Sequence, residues 1–218
     1  MTPFEIENKV LKANITEMWH MVLSQLSKSQ LALFNFDKNI VKNIQVNEKM
    51  IKAYELKIDK ECETALSLVK EKVTDLRFIL IAYKINHNLE QISDYACNIS
   101  KLIEELELPF SEELLKSCRI KEVYDIILGL LVDTLALFEN KELSQTVFGK
   151  DKILNKINKV ATQKIADYLV EAPSEVKSVM NTISIIRQLE RTGDYILNIA
   201  AELSFFMESS KKMKQFEN

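Results

Sequence analysis

The chain has 218 residues with 29 basic and 32 acidic side chains, a net charge of −3 that advertises neither a basic field for nucleic acid nor an acidic tail. Three glycines and three prolines leave too few breakers for a strand-and-turn protein. A composition 47% apolar and 28% charged excludes a disordered chain and supplies a substantial core. An all-α protein is expected.

Thr2-Pro3-x-Glu5 reads as a helix start, with Thr2 as N-cap, Pro3 where its missing N–H costs nothing and Glu5 closing a capping box. Apolar residues then recur at helical spacing through Ile6, Val10, Ile15, Met18, Val22, Leu26 and Leu33, predicting a first helix to about Phe36. Asp37 caps a second, over 38–69, with the stripe Ile44, Ile51, Ile58 and Leu66. The third covers 74–106, on Leu76, Ile79, Tyr83, Leu89, Ile92, Ala96, Ile99 and Ile103. Pro109-Phe110-Ser111-Glu112 stops it, and Ser111 restarts the pattern, so a domain boundary is expected there, between 1–108 and 111–210. Helices four to six are expected over 112–140, 143–171 and 174–209, with the turn Ala172-Pro173-Ser174 between the last two and a frayed polar tail from Lys211 to Phe216. Six long helices with short connections must run antiparallel to their neighbours, giving two tandem three-helix bundles.

Cys62, Cys97 and Cys118 are odd in number, widely spaced and in apolar or helical surroundings, as reduced core cysteines are. The N-terminus lacks the basic and apolar regions of a signal peptide, and no segment approaches a membrane span, so a soluble cytoplasmic protein is expected.

Leu89-Glu90-x-x-x-Asp94-Tyr95-x-x-Asn98-Ile99 returns one hundred positions later as Leu189-Glu190-x-x-x-Asp194-Tyr195-x-x-Asn198-Ile199. The chain therefore reads as two copies of one unit. On a helix each Glu-Asp pair shares a face, where like charges repel by about a few tenths of a kcal/mol. A solvated polar face and a bound cation both remain open for these carboxylates. Ser93 and Gly193 sit between them, and a helix-interior glycine, about 1 kcal/mol worse than Ala, signals close approach by a neighbouring helix or by a ligand.

Leu189-Glu190-Arg191-Thr192-Gly193-Asp194-Tyr195-x-x-Asn198-Ile199-Ala200 resembles the PhoU family signature L-E-R-I-G-D-x-x-x-N-I-A, and the first copy adds Asp75-Leu76-Arg77 upstream. The resemblance spans nearly the whole chain as two repeats. It implies a negative regulator of phosphate uptake and phosphate-starvation signalling, not an enzyme, whose partners are the ATPase of a phosphate ABC transporter and a membrane sensor kinase. Membrane association would be peripheral, through those partners only. It also implies metal clusters on the E/D-x-x-x-D motifs, which map to Glu90 with Asp94 and Glu190 with Asp194.

The family's second acidic element, D-x-x-I-D-x-L-E-x-x-I-E, lies on the preceding helix. The first copy reads Glu48-x-x-Ile51-Lys52-x-Tyr54-Glu55-x-x-Ile58-Asp59 and the second Asp151-x-x-Leu154-Asn155-x-Ile157-Asn158. Lys52 replaces an acid and repels a cation, whereas Asn155 and Asn158 keep oxygen donors without charge. In the first signature Gln91 and Ser93 stand where the family has Arg and Gly. Two sites of different composition are expected, with oxygen donors suiting Mg²⁺ or Mn²⁺ and, through carboxylate bridging, Fe or Zn.

Glu17-x-x-His20 has no second copy to complete a ferritin-like di-iron centre, and two histidines without Cys-x-x-Cys do not build structural zinc. His87, one turn before Glu90, is placed to join a site there. Phosphate loops, nucleophile elbows and kinase signatures do not occur. Trp19, Phe34, Phe36, Tyr83, Phe205 and Phe206 read as core or interface anchors, and long amphipathic helices suit a homodimer. The alternative function is a metal-binding or metal-storing helical protein outside phosphate signalling.

Overall fold

The computed structural model describes residues 2–69, 73–139 and 147–216, with the side chains of 147, 148, 151 and 209–216 left aside. The described residues form helices α1 (Pro3–Asn35), α2 (Lys38–Leu68), α3 (Val73–Glu104), α4 (Glu112–Ser117), α5 (Ile120–Phe138), α6 (Val147–Glu171) and α7 (Val176–Phe216), with a 3-10 turn at Pro173–Glu175 before α7. No strand occurs among them. The capping box forms as expected: Thr2 Oγ1 accepts the Glu5 N–H at 3.2 Å and Glu5 Oε2 accepts the Thr2 N–H at 2.9 Å. Asp37 caps α2 by accepting from the N–H groups of Asn39 and Ile40.

The expected fourth helix is two helices. Arg119 takes a left-handed conformation (φ 55°), which turns the chain after α4 so that Leu114, Leu115 and Ile120 all reach the core. Such a backbone costs a non-glycine residue about 1–2 kcal/mol, and Arg119 is held there by a two-point ion pair with Glu122. The tail also departs from expectation. Lysine, methionine and glutamine are good helix formers, and α7 continues through them to Phe216. The expected end of helix four at Asn140 and start of helix five at Leu143 lie outside the described residues.

Helices α1, α2 and α3 pack on one another, as do α5, α6 and α7; α3 packs on α7 and α1 on α5. Across the first contact Phe78 meets Phe206, Lys84 pairs with Glu202 at 2.6 Å and Tyr95 meets Tyr195, so α3 and α7 run antiparallel. Across the second, Trp19 stacks on Phe138 and Ser29 bonds to Tyr124, again antiparallel. Four helices thus make the centre, and α2 and α6 lie outside it. Tyr95 and Tyr195 are equivalent residues of the two repeats, and equivalent residues touch only beside an axis of two-fold pseudosymmetry.

The core is one continuous cluster through both repeats, from Leu11 to Leu203. Cys62, Cys97 and Cys118 are buried and free, and burial pushes the Cys62 thiol up to about 12. Not every expected core residue is inside. Ile6, Val10, Leu66, Leu76 and Tyr83 are exposed. All lie toward the same end of the first bundle, where α1 and α3 begin and α2 ends, and Phe205 of α7 is exposed as well. Of the aromatic anchors, Trp19 is fully buried and Phe34 and Tyr83 are exposed.

Candidate functional site

The repeated carboxylates sit on the outer faces, at α2–α3 and α6–α7. In the first repeat, Glu48 meets Cys97 at one end of the α2–α3 contact and Asp59 meets Asn86 at the other. This antiparallel register brings Glu55 and Lys52 level with Glu90 and Asp94. The Lys52 ammonium donates to Glu48 Oε1 at 2.9 Å, and the Cys97 thiol donates to Glu48 Oε2 at 2.7 Å. Burial alone raises the Glu48 carboxyl, but the thiol, Lys52 and the charge of Lys101 together hold it below its ordinary value. Lys52 is raised, first by its bond to Glu48; desolvation opposes this, and the charges of Glu48, Asp94 and Glu90 add to the rise.

The other members of this face also have protein donors. Gln91 donates to Glu90 at 2.9 Å, Asn98 to Asp94 at 2.9 Å and Asn86 to Asp59 at 2.8 Å. Asn86, fully buried, also donates to the Glu55 carbonyl at 2.9 Å. His87 turns to α2, its Nδ1 3.7 Å from Glu55 Oε1. Cys97 and Asn86 were missed in the sequence reading, although both continue the helical face of Glu90 and Asp94: Asn86 lies one turn before Glu90 and Cys97 three residues after Asp94.

Glu90 is only 8% exposed. Burial first, then the charges of Glu55 and Asp94, push its carboxyl above its ordinary value of 4.5, opposed by Lys52 and Gln91. The folded state therefore holds this proton more tightly than the unfolded chain, and stability is lost as pH rises from the unfolded value through the folded one. Glu90→Gln, melted in chelator at neutral pH, is expected to unfold at a higher temperature than wild type. The gain should close as pH falls to the ordinary carboxylate value, and a lower melting point at neutral pH would contradict it.

The second repeat is built differently. Glu190, Asp194 and Asn155 are exposed. Glu190 and Asn155 line a groove of about 680 Å³ between α6 and α7, with Asn158, Lys159 and Arg187 at its edge and apolar walls including Ile165, Val179 and Ile183. The side chain of Asp151 lies outside the described residues. Among the described residues no three His, Cys, Asp or Glu side chains are grouped to hold a metal. The oxygen donors of this face, Glu190, Asp194 and Asn155, are of the kind a hard cation takes, although Lys159 and Arg187 line the same groove. The first repeat fits a cation less well, because the Lys52 ammonium is bonded directly to one of its carboxylates.

The small residues between the acids serve helix packing. A Cβ at Gly193 would lie 3.2 Å from Leu154 Cδ1 of α6. At Ser93 the approach comes from α1: the Gln25 amide donates to Ser93 Oγ at 2.7 Å and to its carbonyl at 3.2 Å.

The two outer faces thus stand on equivalent helices of two repeats, and a family model described as the PhoU domain matches each repeat, at 15–103 and 120–203. The chain belongs to the PhoU family. A Thermotoga maritima relative named phosphate-specific transport system accessory protein PhoU homolog 1 is 25% identical over 98% of this chain and 92% of its own length. A Pseudomonas putida PhoU homologue of the same description is 27% identical over 90% of this chain and 77% of its own. Among solved structures, PhoU from Pseudomonas aeruginosa superposes with a TM-score of 0.89 over 94% of this chain and 99% of that one, at 24% identity. The phosphate transport system regulatory protein PhoU from Streptococcus pneumoniae follows at 0.82 and 26% identity, covering 94% and 96%. These relatives are named accessory and regulatory proteins of phosphate transport.

Proposed function

We propose that this PhoU-family protein regulates phosphate transport, restraining phosphate uptake and phosphate-starvation signalling from the cytoplasm. It does so as an adaptor, binding the ATPase of a phosphate transporter and a membrane sensor kinase. The observation that carries this reading is the match of both repeats, along nearly the whole chain, to accessory proteins of phosphate-specific transport. The surface is compatible with protein binding. Ile6, Val10, Leu66, Leu76 and Tyr83 leave large apolar side chains exposed toward one end of the first bundle, and exposed apolar surface suits an interaction site. No described helix is long and apolar enough to cross a membrane, so contact with the membrane through partners suits the reading.

A divalent or trivalent cation would be held in the second repeat by Glu190 and Asp194, with Asn155 of α6 in the same groove as Glu190. It would neutralise the repulsion between the two carboxylates and shape the α6–α7 surface offered to a partner. Mg²⁺, Mn²⁺, Fe and Zn all suit such oxygen donors.

The test is genetic and biochemical together. Deleting the gene should switch on phosphate-starvation genes in phosphate-rich medium, and the tagged protein should recover the transporter ATPase and the sensor kinase. Unchanged expression with recovery of neither partner overturns the adaptor. Light scattering of the purified protein checks the homodimer.

A further inference from the structure

In the first repeat, the residue that departs most from the family's acidic pattern is also the one at the centre of the cluster. Lys52 lies on α2 four residues after Glu48, an orientation in which the acid precedes the base along the helix and the pair is favoured. Its ammonium bonds Glu48 at 2.9 Å. On the register set by Cys97–Glu48 and Asn86–Asp59, it stands level with the Glu90–Asp94 pair of α3. The face is finished by neutral donors: the Cys97 thiol, the Gln91 and Asn98 amides and the Asn86 amide each take one carboxylate oxygen. Each of these bonds uses a carboxylate oxygen that an entering metal would have to share or displace.

We propose that Lys52 is a tethered cation that takes the place of a metal in the first repeat, so that the α2–α3 face binds no divalent ion and any metal dependence of the protein belongs to the α6–α7 face. A divalent ion arriving at Glu48, Glu90 and Asp94 meets an ammonium already bound to one of them. Even swung toward solvent, that ammonium stays within a Debye length of the site, about 8–10 Å at ordinary ionic strength, because its helix holds it there. The covalent tether gives the lysine an advantage that a free ion at low concentration lacks. The first repeat then keeps one permanent positive charge among its carboxylates, insensitive to chelators. Partners and phosphate do not enter this inference, and it stands or falls apart from the regulatory reading.

Mn²⁺ alone is the probe, titrated into the purified full chain and followed by calorimetry and by the loss of its free-ion paramagnetic signal. Wild type is expected to take up the same amount of Mn²⁺ as Glu90→Gln/Asp94→Asn, while Glu190→Gln/Asp194→Asn loses whatever wild type binds. Lys52→Glu, which restores the family's acid, should gain one further equivalent that disappears when Asp94→Asn is added. Lys52→Gln removes the cation without adding repulsion and should bind Mn²⁺ at least about tenfold more tightly at this face than wild type. Loss of Mn²⁺ from wild type on substituting Glu90 and Asp94 overturns the proposal, whatever the lysine variants do. So does a natively helical Lys52→Gln with the Mn²⁺ uptake of wild type.

Discussion

Trp19→Ala is expected to destabilise the protein by about 3–5 kcal/mol, the range for deleting a large buried aromatic. Trp19 has no exposed surface, stacks on Phe138 with ring centroids 5.8 Å apart and donates its indole N–H to the Leu131 carbonyl at 3.1 Å. Both partners are on α5, in the other repeat. The cavity would open at the seam between bundles, where α1 and α5 cross over and where collapse is restrained by Met18, Val22 and Leu131, all fully buried. Trp19→Phe should cost less. It keeps an aromatic ring against Phe138, and the Leu131 carbonyl sits inside a helix where its intrahelical bond remains. Urea unfolding followed by far-ultraviolet circular dichroism measures both, and a Trp19→Ala loss below about 1 kcal/mol would mean that the seam is not what couples the repeats.

Tyr124→Phe is expected to cost about 1–3 kcal/mol, although it removes a single oxygen. The Tyr124 hydroxyl and Ser29 Oγ are 2.6 Å apart, and both residues are wholly buried between α5 and α1. Deleting the phenol oxygen leaves a dry serine hydroxyl without its partner. Burial pushes the phenol well above its ordinary value, with Ser29 opposing, so it is neutral at all pH values where the protein is handled and the cost should not vary with pH there. The double variant with Ser29→Ala should lose less than the two single losses together, because both halves of the bond then leave at once. Strict additivity would show that the pair makes no net bond. Trp19, the sole tryptophan, reports this unfolding by fluorescence from the same seam.

The helices were legible because their signals are local. Thr2, Asp37 and Ser111 cap the elements the sequence assigns to them, since a cap needs only a side-chain oxygen and the next turn's N–H groups. The break at Arg119 was not legible. Ser117-Cys118-Arg119 contains no proline or glycine, and the left-handed turn follows from burying Leu115 and Ile120 on the two sides of it. Stripe residues near the ends of α1, α2 and α3 were assigned to the core from periodicity, which cannot say how far along a helix its neighbours extend. Ile6 and Leu66 are exposed for that reason. At the candidate site, the sequence identified the two carboxylate pairs and the oddity of Lys52. It could not place the Cys97 thiol on Glu48 or decide between ligand and helix at Gly193, because both answers depend on the register of α2 with α3 and of α6 with α7.

The sequence by itself determined an all-helical chain of two related repeats and the family to which it belongs, because hydrophobic period, caps and a motif repeated one hundred positions apart are properties of the chain read in order. Only the tertiary structure decided that the repeats join through antiparallel α3–α7 and α1–α5 contacts, with Tyr95 against Tyr195 and Trp19 against α5. The sequence already made the twin carboxylate faces unequal at Lys52 and Asn155; the structure decided how, with Lys52 bonded to Glu48 in one repeat and Glu190 and Asp194 exposed in the other. The reason is physical. Helix formation is settled among residues three and four apart, whereas the charge, burial and donors around a side chain are set by whichever helix packs against it, and that is fixed only when the whole core closes.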